Sequence, residues 1–308
     1  MRITNRMMVD NAIHNMTDNL EKLSKLQTKI STGKQFQNAS EDPAHASVSL
    51  NLRSRLSTLD SYADTADITK DWMTASDNAF DQMENVAVRA QNLILRGLND
   101  SLSASERATT VATEMQDLLN QAVEIGNTSV NNQFIFAGYQ VNNKAFGLVD
   151  ATNTLTDYSG ATFTPKIVNY LGDQGIMQRN LGPDQSVTLN VRGDQAFNGF
   201  LQDLVSASNA LKQNDTTSLQ TILGNLKSSI DIMDQYRTSN GARLRQVESV
   251  SDFLGTMKVE TKSLLSKNED INMAEGIALL ANQQTTYDAV LEVSQRAISA
   301  LSLFDYLR

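Results

Sequence analysis

The sequence has no cysteine, only two histidines and only three prolines among its 308 residues. The absence of cysteine excludes disulfides, thiolate catalysis and cysteine-based metal sites. His14 and His45 do not have a metal-ligand spacing such as His-x-x-x-His, and phosphate-binding glycine loops and nucleophile-elbow motifs are missing too. We therefore expect no catalytic residue, no metal and no cofactor, and predict that the protein is not an enzyme.

Long apolar runs and an excess of positive charge are also lacking. The longest apolar runs, such as residues 277–281, are too short to span a bilayer. A formal net charge of -9 disfavours partners that need basic patches, so we expect no nucleic acid and no membrane. Residues 1–8 lack the hydrophobic core of a secretory signal. The expectation is a cytoplasmic protein, or one exported by a route that needs no cleaved signal.

Each end of the chain carries a heptad repeat of apolar residues, which is typical of a helix that packs along another helix. The N-terminal repeat comprises Val9, Ile13, Met16, Leu20, Leu23, Gln27 and Ile30. The C-terminal repeat comprises Ile277, Leu280, Gln284, Tyr287, Leu291, Ser294, Ile298 and Leu301. Taken alone, the first repeat also fits an ordinary amphipathic helix on a local core. Together, the two repeats predict terminal helices, residues 1–40 and 270–308, that pair as a coiled coil and await a partner.

The residue composition and periodicity change twice in the middle of the chain. Helical periodicity extends over residues 41–137 and 199–269, and we predict a helical rod in each; the first allows one break near residues 69–74. Ser103 and Glu106 form a candidate capping box. Residues 138–199 hold eight of the 15 glycines, and we predict a β-rich insert at residues 138–198 with a hairpin turn at residues 158–161. The predicted fold class is mainly α, with long helical rods, terminal coiled-coil helices and a small β-rich insert.

Three segments resemble a known family. The segment from Ile30 to Ala46, Ile-Ser-Thr-Gly-Lys-Gln-Phe-Gln-Asn-Ala-Ser-Glu-Asp-Pro-Ala-His-Ala, is similar to the motif that follows the first helix in the flagellin family. Residues 2–5, Arg-Ile-Thr-Asn, resemble the same family. Residues 132–146 and the ending at residues 301–308 are similar to the hook-associated members that form the hook–filament junction.

The resemblance implies a structural subunit of the bacterial flagellum that acts in motility. Such a protein is exported unfolded by the flagellar type III route, without a cleaved signal peptide, and is located outside the cell. It forms a ring with copies of itself, between the first hook-associated protein and flagellin. The predicted assembly interface consists of the apolar heptad residues Val9, Ile13, Met16, Leu20, Leu23, Ile30, Ile277, Leu280, Tyr287, Leu291, Ile298 and Leu301. A flagellar export chaperone is the other implied partner, with predicted contacts at Leu291, Ile298, Leu301, Leu303 and Phe304.

Three alternatives stay open at this point. The first is flagellin itself, the major filament subunit, which residues 134–146 and the Asp305-Tyr-Leu ending disfavour. The second is a cytoplasmic coiled-coil scaffold, which leaves the β insert unexplained. The third is an enzyme with a site in the β insert, but that segment contains neither histidine nor cysteine.

Overall fold

The computed structural model describes the backbone of residues 5–306 and the side chains of residues 7 and 9–296. Contacts divide the chain into two compact units. The first unit joins the two ends of the chain, Met1–Leu59 and Met257–Arg308, and the second comprises Asp60–Thr256. Among the described helices, none combines the length and apolar character needed to cross a bilayer.

The helices dominate the chain. They are α1 (Asn5–Thr32), α2 (Pro43–Gly97), α3 (Ala104–Glu106), α4 (Ala112–Gly126), α5 (Gly193–Ala196), α6 (Asn198–Gln213), α7 (Thr216–Glu269) and α8 (Met273–Tyr306). A π-helical turn, Arg107–Val111, separates α3 from α4. The predicted class, mainly α with a small β region, is confirmed.

Local capping explains where several helices begin and end. Gly33 follows α1 with a φ of 70°, which glycine adopts without strain. Pro43 occupies the first position of α2, and the Asp42 carboxylate accepts a hydrogen bond from the backbone N–H of His45 at 3.1 Å. The predicted capping box of Ser103 and Glu106 is confirmed, since each side chain accepts a hydrogen bond from the other residue's backbone N–H.

Eight short strands lie in the second unit. They are β1 (Ser129–Val130), β2 (Gln133–Phe134), β3 (Phe146–Asp150), β4 (Leu155–Thr156), β5 (Thr162–Phe163), β6 (Lys166–Tyr170), β7 (Gln178–Gly182) and β8 (Gln185–Thr188). Within the described residues they form antiparallel two-stranded sheets, paired as β1–β2, β3–β6, β4–β5 and β7–β8. The predicted turn at residues 158–161 joins β4 to β5. In the β3–β6 sheet, Phe146 and Val168 are buried, whereas Val149 and Ile167 face outward.

The core of the second unit joins its helices to this β region. Phe80 of α2 and Phe136, which follows β2, both contact Phe197 at the start of α6, with ring centroids 5.0 and 4.7 Å apart. These edge-on and tilted contacts between buried rings add to the area that each ring removes from water. Arg107 is also buried, and its guanidinium donates to the Asn99 carbonyl and the Asn214 side chain at 2.8 Å each. The β region therefore has no separate core, because its aromatic residues pack with those of the helices.

Candidate assembly interface

Helices α1 and α8 lie side by side in the first unit and run antiparallel. Asn11 and Asn15 of α1 share a groove with Val293 of α8, and Lys29 shares a second groove with Leu279. The side of α1 that faces α8 consists of the partly buried residues Val9, Ala12, Met16, Asn19, Leu23, Leu26 and Ile30. The facing side of α8 consists of Gly276, Leu280, Gln283, Tyr287, Val290 and Ser294. Both sets recur at intervals of three and four residues, as expected for two helices packed along one stripe.

Two details fix the register of this helix pair. The Gln283 side-chain amide donates to the Asn19 side-chain oxygen at 3.0 Å, near the middle of the stripe. Gly276 lies near the end of α1, and a β-carbon there would come within 3.4 Å of Ile30 and 3.0 Å of Ile271. The polar pair and the missing side chain favour one alignment of the helices, since a shift would bury the two amides without a partner.

The structure places the predicted interface residues in two environments. Val9, Met16, Leu23, Ile30, Leu280 and Tyr287 lie on the contact between α1 and α8, where they are partly buried. Ile13, Leu20 and Ile277 lie outside this contact, with 50%, 49% and 55% of their surface exposed. Leu291 is partly buried at the border. The side chains of Ile298, Leu301, Leu303 and Phe304 lie outside the described residues.

Six residues of the contact lie outside the predicted assembly interface: Ala12, Asn19 and Leu26 of α1, and Gly276, Gln283 and Val290 of α8. All six belong to the contact stripe. Their signal was present in the sequence, because a stripe through Val9, Ala12, Met16 and Asn19 also follows heptad spacing. It was masked by the more apolar alternative through Ile13 and Leu20.

The segments that connect α1 to α2 and α7 to α8 are clasped together. Lys34 forms an antiparallel β-bridge with Asp270. Around it, the backbone N–H of Gln35 donates to the Glu269 carbonyl at 2.6 Å, and that of Ile271 donates to the Gly33 carbonyl at 2.9 Å. The clasp, defined as Gly33–Gln35 with Glu269–Ile271, therefore fixes the end of α1 against the start of α8.

A buried carboxylate holds the clasp to α2. The Glu269 side chain is 5% exposed and accepts two hydrogen bonds from Arg53, at 2.9 and 2.7 Å, and one from Lys34 at 3.1 Å. The hydrogen bonds from Arg53 lower the pKa of Glu269 most, burial opposes them, and Lys34 lowers it further, so that the pKa is about 2. Asn268 adds hydrogen bonds to the His45 carbonyl and the Ser49 hydroxyl at 2.8 Å each. The arrangement is a structural ion-pair network, because the buried carboxylate has two cations as its hydrogen-bond partners.

Among the described residues, no group of three or more His, Asp or Glu side chains lies close enough to hold a metal ion. The geometry of the first unit is therefore that of a surface for helix–helix contact, with apolar side chains left facing outward from an antiparallel helix pair.

The fold and this surface are those of a structural protein that assembles through its terminal helices, and comparison with known proteins agrees with this class. Residues 3–141 match the family described as "Bacterial flagellin N-terminal helical region". This part of the chain is therefore similar to the N-terminal helical region of bacterial flagellins. It is 24% identical to flagellar hook-associated protein 3 of Salmonella typhimurium over the whole length of both chains.

Two further comparisons are with a flagellin and with a solved structure of similar fold. A flagellin of Clostridium tyrobutyricum is 26% identical, but the match covers 49% of this chain and 39% of that flagellin. The fold of the flagellar junction protein of Legionella pneumophila superposes with a TM-score of 0.52 and 13% identity, covering 72% of this chain and 99% of that protein. Identity over the length of the chain is higher to the hook-associated protein, at 24%, than to a flagellar filament core protein of Borreliella burgdorferi, at 20% over 92% of the chain. This difference favours a structural role like that of the hook-associated proteins.

Proposed function

We propose that this chain is a non-enzymatic subunit of the bacterial flagellum that forms a ring at the junction between the hook-associated proteins and the filament. The observation that carries the proposal is the outward-facing apolar surface of the α1–α8 pair. Ile13, Leu20 and Ile277 remain about half exposed after the two helices have packed together. Such a surface gains free energy when neighbouring subunits cover it, at about 25 cal/mol for each Å² of apolar area.

The ring is proposed to lie outside the cell, between the first hook-associated protein and the first flagellin subunits. Export of the unfolded chain without a cleaved signal peptide fits the sequence, which has no cysteine to cross-link during passage. The proposed segments are the terminal assembly helices, residues 1–40 and 270–308, the rods at 41–137 and 199–269, and the β insert at 138–198. A chain whose terminal helices complete their packing only in the ring would couple its last folding step to assembly.

Immunogold electron microscopy of purified flagella tests the proposal. We expect an antibody against residues 138–198 to label one short zone between hook and filament, because a ring contains few copies. A filament flagellin, the second candidate, would give label along the whole filament. Label along the filament, or none on flagella that carry the chain by mass spectrometry, would contradict the junction role.

We also propose that an export chaperone covers part of α8 before export. Exposed apolar residues such as Ile277, at 55%, and Val293, at 67%, make the helix prone to aggregation when it has no neighbour. An amphipathic helix of this kind fits a groove that holds anchors at i, i+3 or i+4, and i+7. The proposed contacts include Leu291 and extend to Ile298, Leu301, Leu303 and Phe304.

Calorimetric titration of the chaperone into the full chain and into a chain that ends at Asn268 tests this contact. We expect binding to the full chain and its loss from the shortened one. A full-length Leu291→Asp, Ile298→Asp variant serves as the second sample, because it keeps the clasp that the truncation removes. Undiminished affinity of both altered chains would place the chaperone site elsewhere.

A further inference from the structure

The α1–α8 pair has two chemically different faces, and this inference rests on the proposed ring of identical subunits. One face, the groove face, contains both grooves of the helix pair. Their combined lining has three lysines, Lys22, Lys25 and Lys29, and no acidic side chain. The opposite face, the ridge face, follows from helical spacing: it carries Asp10, Ile13, Thr17 and Leu20 on α1 and Ile277, Gln284, Asp288 and Leu291 on α8.

The groove face is concave because small side chains line it. Ala12, Asn15 and Ala289 line one groove, of about 500 Å³. The other groove, of about 380 Å³, has an apolar floor of Leu26 and Leu279 and contains the three lysines. Lys25 also pairs with Glu21 of its own helix at 2.6 Å, and Glu41 lines an adjoining pocket with Lys25 and Lys29, whereas Lys22 lines only the groove among the pockets described. We call this second cavity the lysine groove.

The ridge face has the opposite shape and charge. Large apolar side chains project from it, with Ile13 and Ile277 50% and 55% exposed. Its charged residues are Asp10 and Asp288, both exposed, and none of its residues named above is basic. A projecting, acidic and apolar surface is complementary to a concave, basic and apolar one.

We infer that the lysine groove binds the ridge face of a second copy of this chain, with Ile13 and Leu291 of that copy on the groove floor and its Asp10 and Asp288 beside the lysines. The two contacting surfaces differ, so the contact is heterologous. When copies join through a heterologous contact, one groove and one ridge remain free at the two ends of the growing chain of subunits. The chain of subunits closes into a ring if the rotation between neighbouring copies brings those two ends together. A two-fold contact between identical faces would instead place lysines against lysines.

The axial position of the second copy follows from the register of the helices. Asn19 lies beside Gln283 in the antiparallel pair, so Asp288, five residues further along α8, lies level with residue 14 of α1. With the residue numbers of α1 as the scale along the helix axis, the two aspartates lie near positions 10 and 14, and the lysines lie at positions 22 to 29. A shift of about 12 residues, or about 18 Å along the helix axis, brings Asp10 level with Lys22 and Asp288 level with the segment between Lys25 and Lys29. We therefore expect neighbouring copies to be staggered.

Cysteine cross-linking in isolated flagella tests the contact, since the chain has no native cysteine. The variant Lys25→Cys, Asp288→Cys is treated with a short bis-maleimide and run on a denaturing gel. We expect a ladder of dimers, trimers and larger species, because each copy joins one neighbour through its groove and another through its ridge. Each single variant should remain monomeric. A link within one chain is excluded because the two positions lie on opposite faces of the helix pair.

A second pair, Lys22→Cys with Asp10→Cys, covers the case in which the first variant does not enter the flagellum, and it should give the same ladder. If a single variant gives dimers and the double variants give nothing larger than dimers, the contact between copies is two-fold and the groove–ridge contact is wrong. Immunogold labelling of the same flagella separates the two proposals. Label at the junction without any cross-link overturns the groove–ridge contact and leaves the junction role intact, whereas absence from the junction overturns the proposed function.

Discussion

The Leu291→Asp variant should abolish assembly and leave the second unit folded. Leu291 lies at the edge of the contact between α1 and α8, on the ridge face, and is partly buried even in the single chain. An aspartate there would place a charge on the apolar floor of the proposed subunit contact, where its desolvation costs on the order of several kcal/mol. In a strain that lacks this protein, we expect the variant to restore no filaments, as counted by electron microscopy.

Thr285→Asp provides the matched control, since it adds the same charge to an exposed position of the same helix. The Thr285 hydroxyl bonds only to the Ala281 carbonyl in its own helix, at 3.0 Å, and the side chain points away from α1. The control should support filaments, and both variants should keep the melting temperature of the second unit. Normal filament numbers with Leu291→Asp would show that this side of α8 does not pack in the assembly.

The Glu269→Gln variant should open the clasp. The carboxylate accepts from Arg53 and Lys34, and an amide would leave Arg53 with one weaker acceptor and one N–H without its partner, whereas Lys34 keeps Asp270. Because these cations are partly exposed, we expect a loss of about 1–3 kcal/mol in local stability. Hydrogen exchange of the Gln35 and Ile271 amides, which close the clasp, should become roughly tenfold faster or more at neutral pH.

The same ion pair predicts a dependence on pH. The pKa of Glu269 is about 2 in the folded chain, below its ordinary value of 4.5, so folding favours the ionised carboxylate. Its contribution is therefore fully present above pH 4.5 and is lost as the pH falls toward 2. The difference in clasp stability between the native chain and Glu269→Gln should shrink over that interval.

Asp270→Asn is the control for the clasp. It makes the same change one residue away, at a carboxylate that is 43% exposed and pairs with Lys34 at 2.7 Å. An exposed ion pair contributes at most about 1 kcal/mol, so this variant should exchange only slightly faster than the native chain. Equal effects of the two substitutions would mean that burial and the Arg53 contact do not distinguish Glu269.

Local sequence patterns are enough to predict the helical class and many of the helix boundaries. Capping residues such as Ser103 and Glu106, and the glycine at position 33, act within a few residues and give the same result in any tertiary setting. The allowed break near residues 69–74 does not occur, and α2 is continuous from Pro43 to Gly97. The hydroxyls of Thr69 and Ser76 bond back to carbonyls four residues earlier in the helix, which lets these residues remain helical.

Which apolar residues of the terminal helices face each other depends on contacts between distant parts of the chain. On α1, the stripe through Ile13 and Leu20 and the stripe through Ala12 and Leu26 both satisfy heptad spacing, and hydrophobicity favours the first. The pairing of Asn19 with Gln283 and the close approach at Gly276 select the second. These contacts join residues more than 200 positions apart, so no local pattern encodes them. The same reason applies to Glu269, because folding brings Arg53 and Lys34, each more than 200 positions away in the chain, to its carboxylate.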